Sequence, residues 1–575
     1  MRSIPAVAVM LFTAFSASVS YAQLSPLLFQ QDRDDGALSP IAAEDLAKLG
    51  DPLFNLVLKG KANLVKLADI ISAIQGTTAQ HQLFVVDEQI VSSAKTGSRR
   101  SVIAFSGNNG GEALDGNVMI SVFFTPAGFA ASDNVEAWGW DNSRQRYNYY
   151  KLDAAGSTDG NLIWKFRTSS VDADQKSVAE RRGTCLGCHV SGAPVMKELF
   201  FPWNNWHAGV GTSFKAEYLV PGPAAPGKWP AASTTEFARL TGANILEDNF
   251  LKAALKRFSV TRMNTALKRD PATGNPDIGA GGKMTVIAGG RLLRPVFETT
   301  DVNLYSSVDR SGIHPIGGPA GFVPGRSIGF PVDQFFLNTD LIAGAGEGEL
   351  GGLGLGSARD FEAAGLSLTQ QENKDLIIKF LVRLNGVSGD AEFAWLVPGP
   401  SFSDNALIDQ CLRQGVVTPH FLAAALAVDV ENPVFSTRRA ALLAFIPDQF
   451  DFSPVAAGVS PVGLPRDAAN DLLTQAVLAK IDAATPAVAV DSPAGEFRAL
   501  LNSPDAVKEL DKRVVDYLAR VKTKLDTAPA NAAIRQAELE RLFKLALDRR
   551  NLMEKHPVLG GLDETQGKLL LPLAP

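Results

Sequence analysis

The period at which apolar residues recur changes along the chain, and each change predicts a different kind of element. Leu46, Leu49, Leu53, Leu56, Leu58, Leu64, Leu67, Ile70, Ile71 and Ile74 recur at threes and fours, the spacing of one face of short helices. From His81 to Arg167 the runs become short, β-branched or aromatic, at 81–86, 101–105, 118–124, 135–140, 146–152 and 164–167, with Gly, Asn and Pro clusters between them. That is a strand pattern. The two runs flanking Asp141-Asn142-Ser143 read as a β-hairpin. The stretch as a whole predicts a compact antiparallel sheet, in which Trp138, Trp140, Tyr147, Tyr149, Tyr150 and Trp164 suit core and cross-strand packing.

Beyond the sheet the pattern loosens. Residues 181–210 are irregular, 220–232 are a Pro/Ala/Gly linker, and 235–268 return to helical spacing. Short strands are expected at 285–297 and 327–336. Residues 343–357 are glycine-rich and read as a flexible boundary. After Ala358 the chain reads as helical. Thr369-Gln370-Gln371-Glu372 is a capping box, and further starts fall at Asp404, Pro419 after Thr418, Thr437 after Ser436, Asp467, Pro493 after Ser492 and Pro504 after Ser503. Proline suits the first helical position because no intrahelical donor is lost there. A last long helix is expected from about 530 to 555. No clean repeat period appears. The expected architecture is α+β: a mixed region over 23–342 and an all-helical region over 358–575.

The first residues change the picture of where the chain works. Arg2, an almost unbroken apolar run from 4 to 15, and Ser20-Tyr21-Ala22 have the layout of a secretory signal cut after Ala22. The apolar run is too short to span a bilayer, and no later run of about 18 apolar residues occurs. An exported, periplasmic protein without a membrane span in its mature chain is expected. Lys and Arg number 55 against 61 Asp and Glu, a net charge of −6, which disfavours nucleic acid and anionic membrane as partners. With 46% apolar and 20% charged residues the chain is globular.

Only three cysteines are present, and two stand in Cys185-Leu186-Gly187-Cys188-His189. C-x-x-C-H is the attachment sequence of a c-type haem. Its spacing is chemical: two thiols reach the two vinyl groups on one porphyrin edge, and the next residue supplies an imidazole to the iron. Three other readings stay open. A structural zinc site needs a second ligand pair, and none occurs in the chain. A redox dithiol needs a strand-then-helix setting, whereas 172–183 is a charged, irregular run. The third reading is coincidence. Cys411, at helical spacing with Leu407, Ile408 and Leu412, reads as a small buried apolar residue.

This segment resembles the c-type cytochromes, and the resemblance is confined to it. It implies haem c, one per chain and covalent, with Cys185 and Cys188 as thioether positions and His189 as proximal ligand. Gly192 and Pro194 match loosely the loop that follows the attachment site in that family. Export fits, because haem c is joined to its protein outside the bacterial inner membrane. The flanks do not match a small all-helical cytochrome, and the chain is similar rather to large exported proteins with one embedded C-x-x-C-H. The sixth iron position decides between functions. Downstream candidates are Met196, His207, Met263, Met284 and His314, of which Met196 lies too near His189 to reach the far face easily. Arg181 and Arg182 are candidate partners for haem propionates, or else a solvated basic loop. One sheet face is a candidate cover for the haem.

The resemblance implies haem binding and electron transfer with a redox partner protein or a small-molecule donor or acceptor. The alternative is a haem c oxidoreductase, peroxidase-like or oxygenase-like, with an open distal site; a haem-bearing sensor is a third. Two weaker motifs are set aside. Gly325-Arg326-Ser327-Ile328-Gly329, with His420 downstream, matches a nucleophile elbow but lacks the strand before and helix after that it requires. Gly346-Glu347-Gly348-Glu349-Leu350-Gly351 places glutamates where a pyrophosphate would sit.

Overall fold

The computed structural model describes residues 28–33, 36–59, 70, 73, 76, 81–88, 98–105, 116–124, 135–153, 162–171, 184–187, 189, 192–194, 241–242, 250–299, 401–432, 436–456, 470–526 and a few positions between 533 and 541. Strands β1 (Phe29–Gln30), β2 (Ser39–Pro40), β3 (His81–Glu88), β4 (Ser98–Phe105), β5 (Val118–Phe124), β6 (Val135–Asp141), β7 (Arg146–Asp153), β8 (Ile163–Ser169) and β9 (Thr241–Gly242) form a nine-stranded sheet in the order β2-β1-β8-β7-β6-β5-β4-β3-β9. From β3 to β8 each strand pairs antiparallel with the next. The β6–β7 hairpin closes where expected: Asp141 Oδ1 accepts from the Ser143 hydroxyl (2.6 Å) and the Arg144 amide (3.1 Å), an aspartate-stabilised turn.

The expectation of a purely antiparallel sheet is corrected at its edges. β1 runs parallel to β8 and β9 parallel to β3. Both are two-residue strands from remote segments, and a remote segment has enough chain to cross over and enter parallel. Between β7 and β8 the register slips, so that Tyr149 faces Thr168 while Tyr150 faces Phe166. Arg167 is the extra residue of this bulge, which locally increases twist.

Strand alternation divides the aromatic residues between two faces. Ala104, Met119, Trp138, Trp140, Tyr147 and Tyr149 enter the main hydrophobic core. On the opposite side a π-helical turn, α1 (Leu53–Leu58), packs against β6 with Leu53, Phe54, Val57 and Leu58 buried. Asp51, two residues before α1, is fully buried there and accepts from the Phe54 amide (3.0 Å), Asn148 Nδ2 (2.9 Å) and the Tyr150 hydroxyl. Burial pushes the Asp51 carboxyl above its ordinary value, and Asp141 adds to the rise; its three hydrogen bonds act the other way. Gly139 is needed beside it, since a Cβ there would stand 2.5 Å from Asp51 Oδ1.

The other side of the core is helical: α2 (Lys252–Thr265), α3 (Gly289–Arg294), α4 (Ser401–Gln414), α5 (Pro419–Ala427), α6 (Leu472–Asp482), α7 (Pro493–Leu501) and α8 (Ala506–Asp526). Every residue of α5 is buried, as a helix apolar on all faces requires. Thr418 caps α5 by accepting from the Phe421 amide at 3.1 Å and donates its hydroxyl to Asp471, which in turn caps α6 through the Thr474 amide at 3.0 Å. Ser492 and Ser436 cap the helices that start at Pro493 and Thr437. Phe297, Phe421 and Phe497 meet edge to face with centroids 5.8–6.4 Å apart, a favoured aromatic geometry.

The C-terminal region is not all-helical. Strand β11 (Phe450–Phe452) pairs antiparallel with β10 (Met284–Val286), so a segment after the expected boundary is tied to one before it. Three residues carry no period, and a partner some 166 positions away leaves no local trace. The main core likewise joins both regions, from Trp138 and Tyr149 to Leu501 and Leu510. The glycine-rich boundary at 343–357, the expected strand at 327–336, the capping box at 369–372, the signal segment 1–22 and most of the last expected helix lie outside the described residues. Among the described residues no helix is long and apolar enough to cross a membrane.

Candidate functional site

The Cys185–His189 segment lies against the aromatic side of the sheet. Cys185–Gly187 form a single 3₁₀ turn, initiated by Thr184, whose hydroxyl oxygen accepts from the Leu186 amide at 3.1 Å. The His189 amide then donates to the Cys185 carbonyl (2.9 Å), and the Gly192 amide to the His189 carbonyl (2.8 Å). These two backbone bonds wind the segment tightly. Leu186 and Ala193 are buried and anchor it at either end, while Cys185 and His189 are half-buried. Cys185 packs against the core.

Gly192 makes this turn possible. Its φ is +75°, and a Cβ would fall 2.0 Å from the Ser170 carbonyl oxygen. Only glycine combines that left-handed conformation with so close an approach.

The imidazole of His189 is oriented from two directions. Its Nδ1 lies 2.6 Å from the Ala193 carbonyl oxygen. A carbonyl only accepts, so Nδ1 holds the proton and the neutral ring has its lone pair on Nε2. This is the second-shell arrangement that fixes tautomer and ring direction in metal-ligating histidines. The Tyr149 ring leans on the imidazole with centroids 4.8 Å apart at 42°. The same tyrosine's hydroxyl lies 2.9 Å from the Gly192 carbonyl and 2.8 Å from the Ala193 carbonyl. Burial, then the Cys185 sulfur and Tyr147, hold its phenol well above the ordinary value, so it remains a donor.

Behind Tyr149 the sheet is closed by aromatic packing. Trp138, directly across from it in β6, stacks on Phe250 (5.5 Å, 22°) and meets Tyr147 edge-on (4.8 Å). Trp140 lies 4.9 Å from Tyr147 and under the Arg257 guanidinium at 5.3 Å. The face expected as a candidate cover therefore backs His189 through Tyr149.

Other candidates from the sequence are placed as follows. Met263, at the end of α2, is buried in the main core, and Met284, in β10, is half-buried against it. Cys188, Arg181, Arg182, Met196, His207 and His314 lie outside the described residues. Cys411 is buried in α4, and burial pushes its thiol up to about 12. His420 is fully buried with Nε2 donating to the Leu501 carbonyl at 2.9 Å; Ser327, its suggested partner, lies outside the described residues. Among the described residues no three His, Cys, Asp or Glu side chains gather as a metal cage. His189 is thus held as a single directed nitrogen beside a thiol, a donor set that fits an iron porphyrin attached at Cys185.

Tyr149 and the Ala193 carbonyl are the contributions that sequence reasoning did not single out. The alternation of β7 puts Tyr147 and Tyr149 on one face, but nothing in the pattern says which segment covers that face. No known protein family, curated protein or solved structure matches the chain.

Proposed function

We propose that this chain is an exported mono-haem c-type cytochrome protein that transfers electrons, with haem c joined through Cys185 and Cys188 and ligated by His189. The observation that carries the reading is the 2.6 Å contact of His189 Nδ1 with the Ala193 carbonyl. It fixes the tautomer in which Nε2 would be the iron-ligating nitrogen, in a turn that also carries Cys185. When bound, haem c supplies a one-electron couple whose potential its protein ligands adjust. Ala193 holds the proton on Nδ1. Tyr149 and the aromatic sheet face back the imidazole and exclude water from its proximal side. Arg182 would meet a propionate, and His207, Met263 or Met284 would supply a second protein ligand to the iron. A redox partner protein or a small electron donor or acceptor docks at the 181–210 face, and residues 1–22 are removed on export.

The test is direct. The protein, expressed with a c-type maturation system and recovered from the periplasm, is denatured and extracted with acid acetone. Retained colour and an intact mass equal to the chain from Gln23 plus one haem support the reading. Colourless protein with the mass of bare polypeptide overturns it. A low-spin ferric spectrum supports the electron carrier; a high-spin, water-ligated iron that reacts with peroxide replaces it with an open-site oxidoreductase.

A further inference from the structure

Ala193's carbonyl oxygen has two hydrogen-bond partners, not one. His189 Nδ1 stands 2.6 Å from it and the Tyr149 hydroxyl 2.8 Å. Both are donors, so they compete for the same oxygen. We propose that Tyr149 is a positioning residue that limits how strongly His189 donates to iron, raising the reduction potential of the site. The inference rests on the haem reading above and deepens it.

The physics is that of a shared acceptor. A histidine that gives its Nδ1 proton to a strong acceptor gains anionic character, becomes a better donor through Nε2, and favours the ferric state. A second donor on the same carbonyl withdraws electron density from it and weakens the first bond. The Tyr149 hydroxyl proton is shared between two adjacent carbonyls of the same segment, with Ala193 the nearer. Tyr149 is buried, and among the described residues its hydroxyl's other contact is the neighbouring Gly192 carbonyl at 2.9 Å. Its ring, 4.8 Å from the imidazole, is fixed by its place in β7 between β6 and β8. The hydroxyl therefore stays aimed at these two carbonyls in either oxidation state. In a low-dielectric site such a fixed dipole acts more strongly than it would in water.

Tyr149→Phe keeps the ring and removes the donor. In the full-length holoprotein, spectroelectrochemical titration is expected to give a midpoint potential more negative than that of the parent, with the haem still covalently attached. Tyr147→Phe is the control. It removes an equally buried hydroxyl, one that contacts the Gly116 and Ala254 carbonyls rather than the haem segment, and should leave the potential in place. An attached haem with an unchanged or raised potential in Tyr149→Phe overturns the proposal and leaves the haem reading intact. Absence of covalent haem from the parent protein overturns the haem reading itself. Should Tyr149→Phe fail to accumulate, 3-fluorotyrosine at position 149, a stronger donor of the same shape, must raise the potential; no rise refutes the role.

Discussion

Replacing Gly192 with alanine tests the turn on which the direction of His189 depends. Two costs are separable. A left-handed backbone costs an L-residue with a Cβ about 1–2 kcal/mol, and Gly192 has φ +75°. The new methyl would also stand 2.0 Å from the Ser170 carbonyl oxygen and 2.8 Å from its carbon. Both are backbone atoms just beyond β8 and cannot swing aside, so overpacking adds about 1–3 kcal/mol. The total is roughly 2–5 kcal/mol. Gly274 is the internal reference: its φ is +71°, but nothing lies within 4 Å of a Cβ built there. Gly274→Ala should therefore cost only the backbone part, about 1–2 kcal/mol. Urea unfolding followed by tryptophan fluorescence gives both values, and the difference between the variants isolates the steric part. Covalent haem yield in the periplasm should fall for Gly192→Ala and not for Gly274→Ala. If Gly192→Ala proves no more destabilising than Gly274→Ala, the close packing of Gly192 on Ser170 is wrong.

Three further outcomes are expected. The Asp51 carboxyl is raised in the folded protein by burial, so its protonated form favours folding; the contribution is whole below the ordinary carboxylate value and is lost as pH rises through the raised one. The stability of the parent relative to Asp51→Asn should accordingly decline from about pH 4 towards neutrality, and a flat difference across that range would refute the buried-acid account. Cys411, with its thiol pushed from 9.0 up to about 12, should have a thiolate fraction about a thousandfold lower than an ordinary cysteine; iodoacetamide at pH 8 should label it only after urea is added, and fast labelling of the native protein would contradict its burial. Thr418→Ala and Asp471→Ala each break the shared cap of α5 and α6 and should each cost about 1–3 kcal/mol. Because they share one network, the double variant should cost less than the sum, as a double-mutant cycle measures.

How much of this was legible in the sequence depended on how local each cause is. The strands of the central sheet show as short alternating runs, and the Asp141 turn shows because an aspartate stabilises it with its own side chain. The starts at Pro419 and Pro493 were visible because capping is a contact of three residues. The edge strands β1 and β9 were not, since two residues carry no period, and neither was the β10–β11 pairing between remote segments. The same division runs through the site. C-x-x-C-H stands out because the proposed attachment chemistry would dictate that spacing. The Ala193 carbonyl does not, because a backbone acceptor has no residue-type signature. Tyr149 was visible only as one of several aromatics; its role follows from the segment that covers β7, which only the fold supplies.

That dependence on the fold has a structural reason. Within 185–194 the only regular structure among the described residues is one 3₁₀ turn, so the segment takes its order from its surroundings. Strand β7 is the main source. Its Tyr149 holds the Gly192 and Ala193 carbonyls on one face, while Asn148 and Tyr150, its neighbours in sequence, are held on the other face by the buried Asp51. The strand is pinned from both sides, and the Tyr149 hydroxyl cannot drift without breaking buried hydrogen bonds, which is expensive. The side of β7 that bears Tyr149 is packed in turn by Phe250 and α2, whose core continues into α4 and α5. A histidine set in so irregular a segment is kept in place by this large aromatic and helical body, and loosening β7 from either face should be felt at His189.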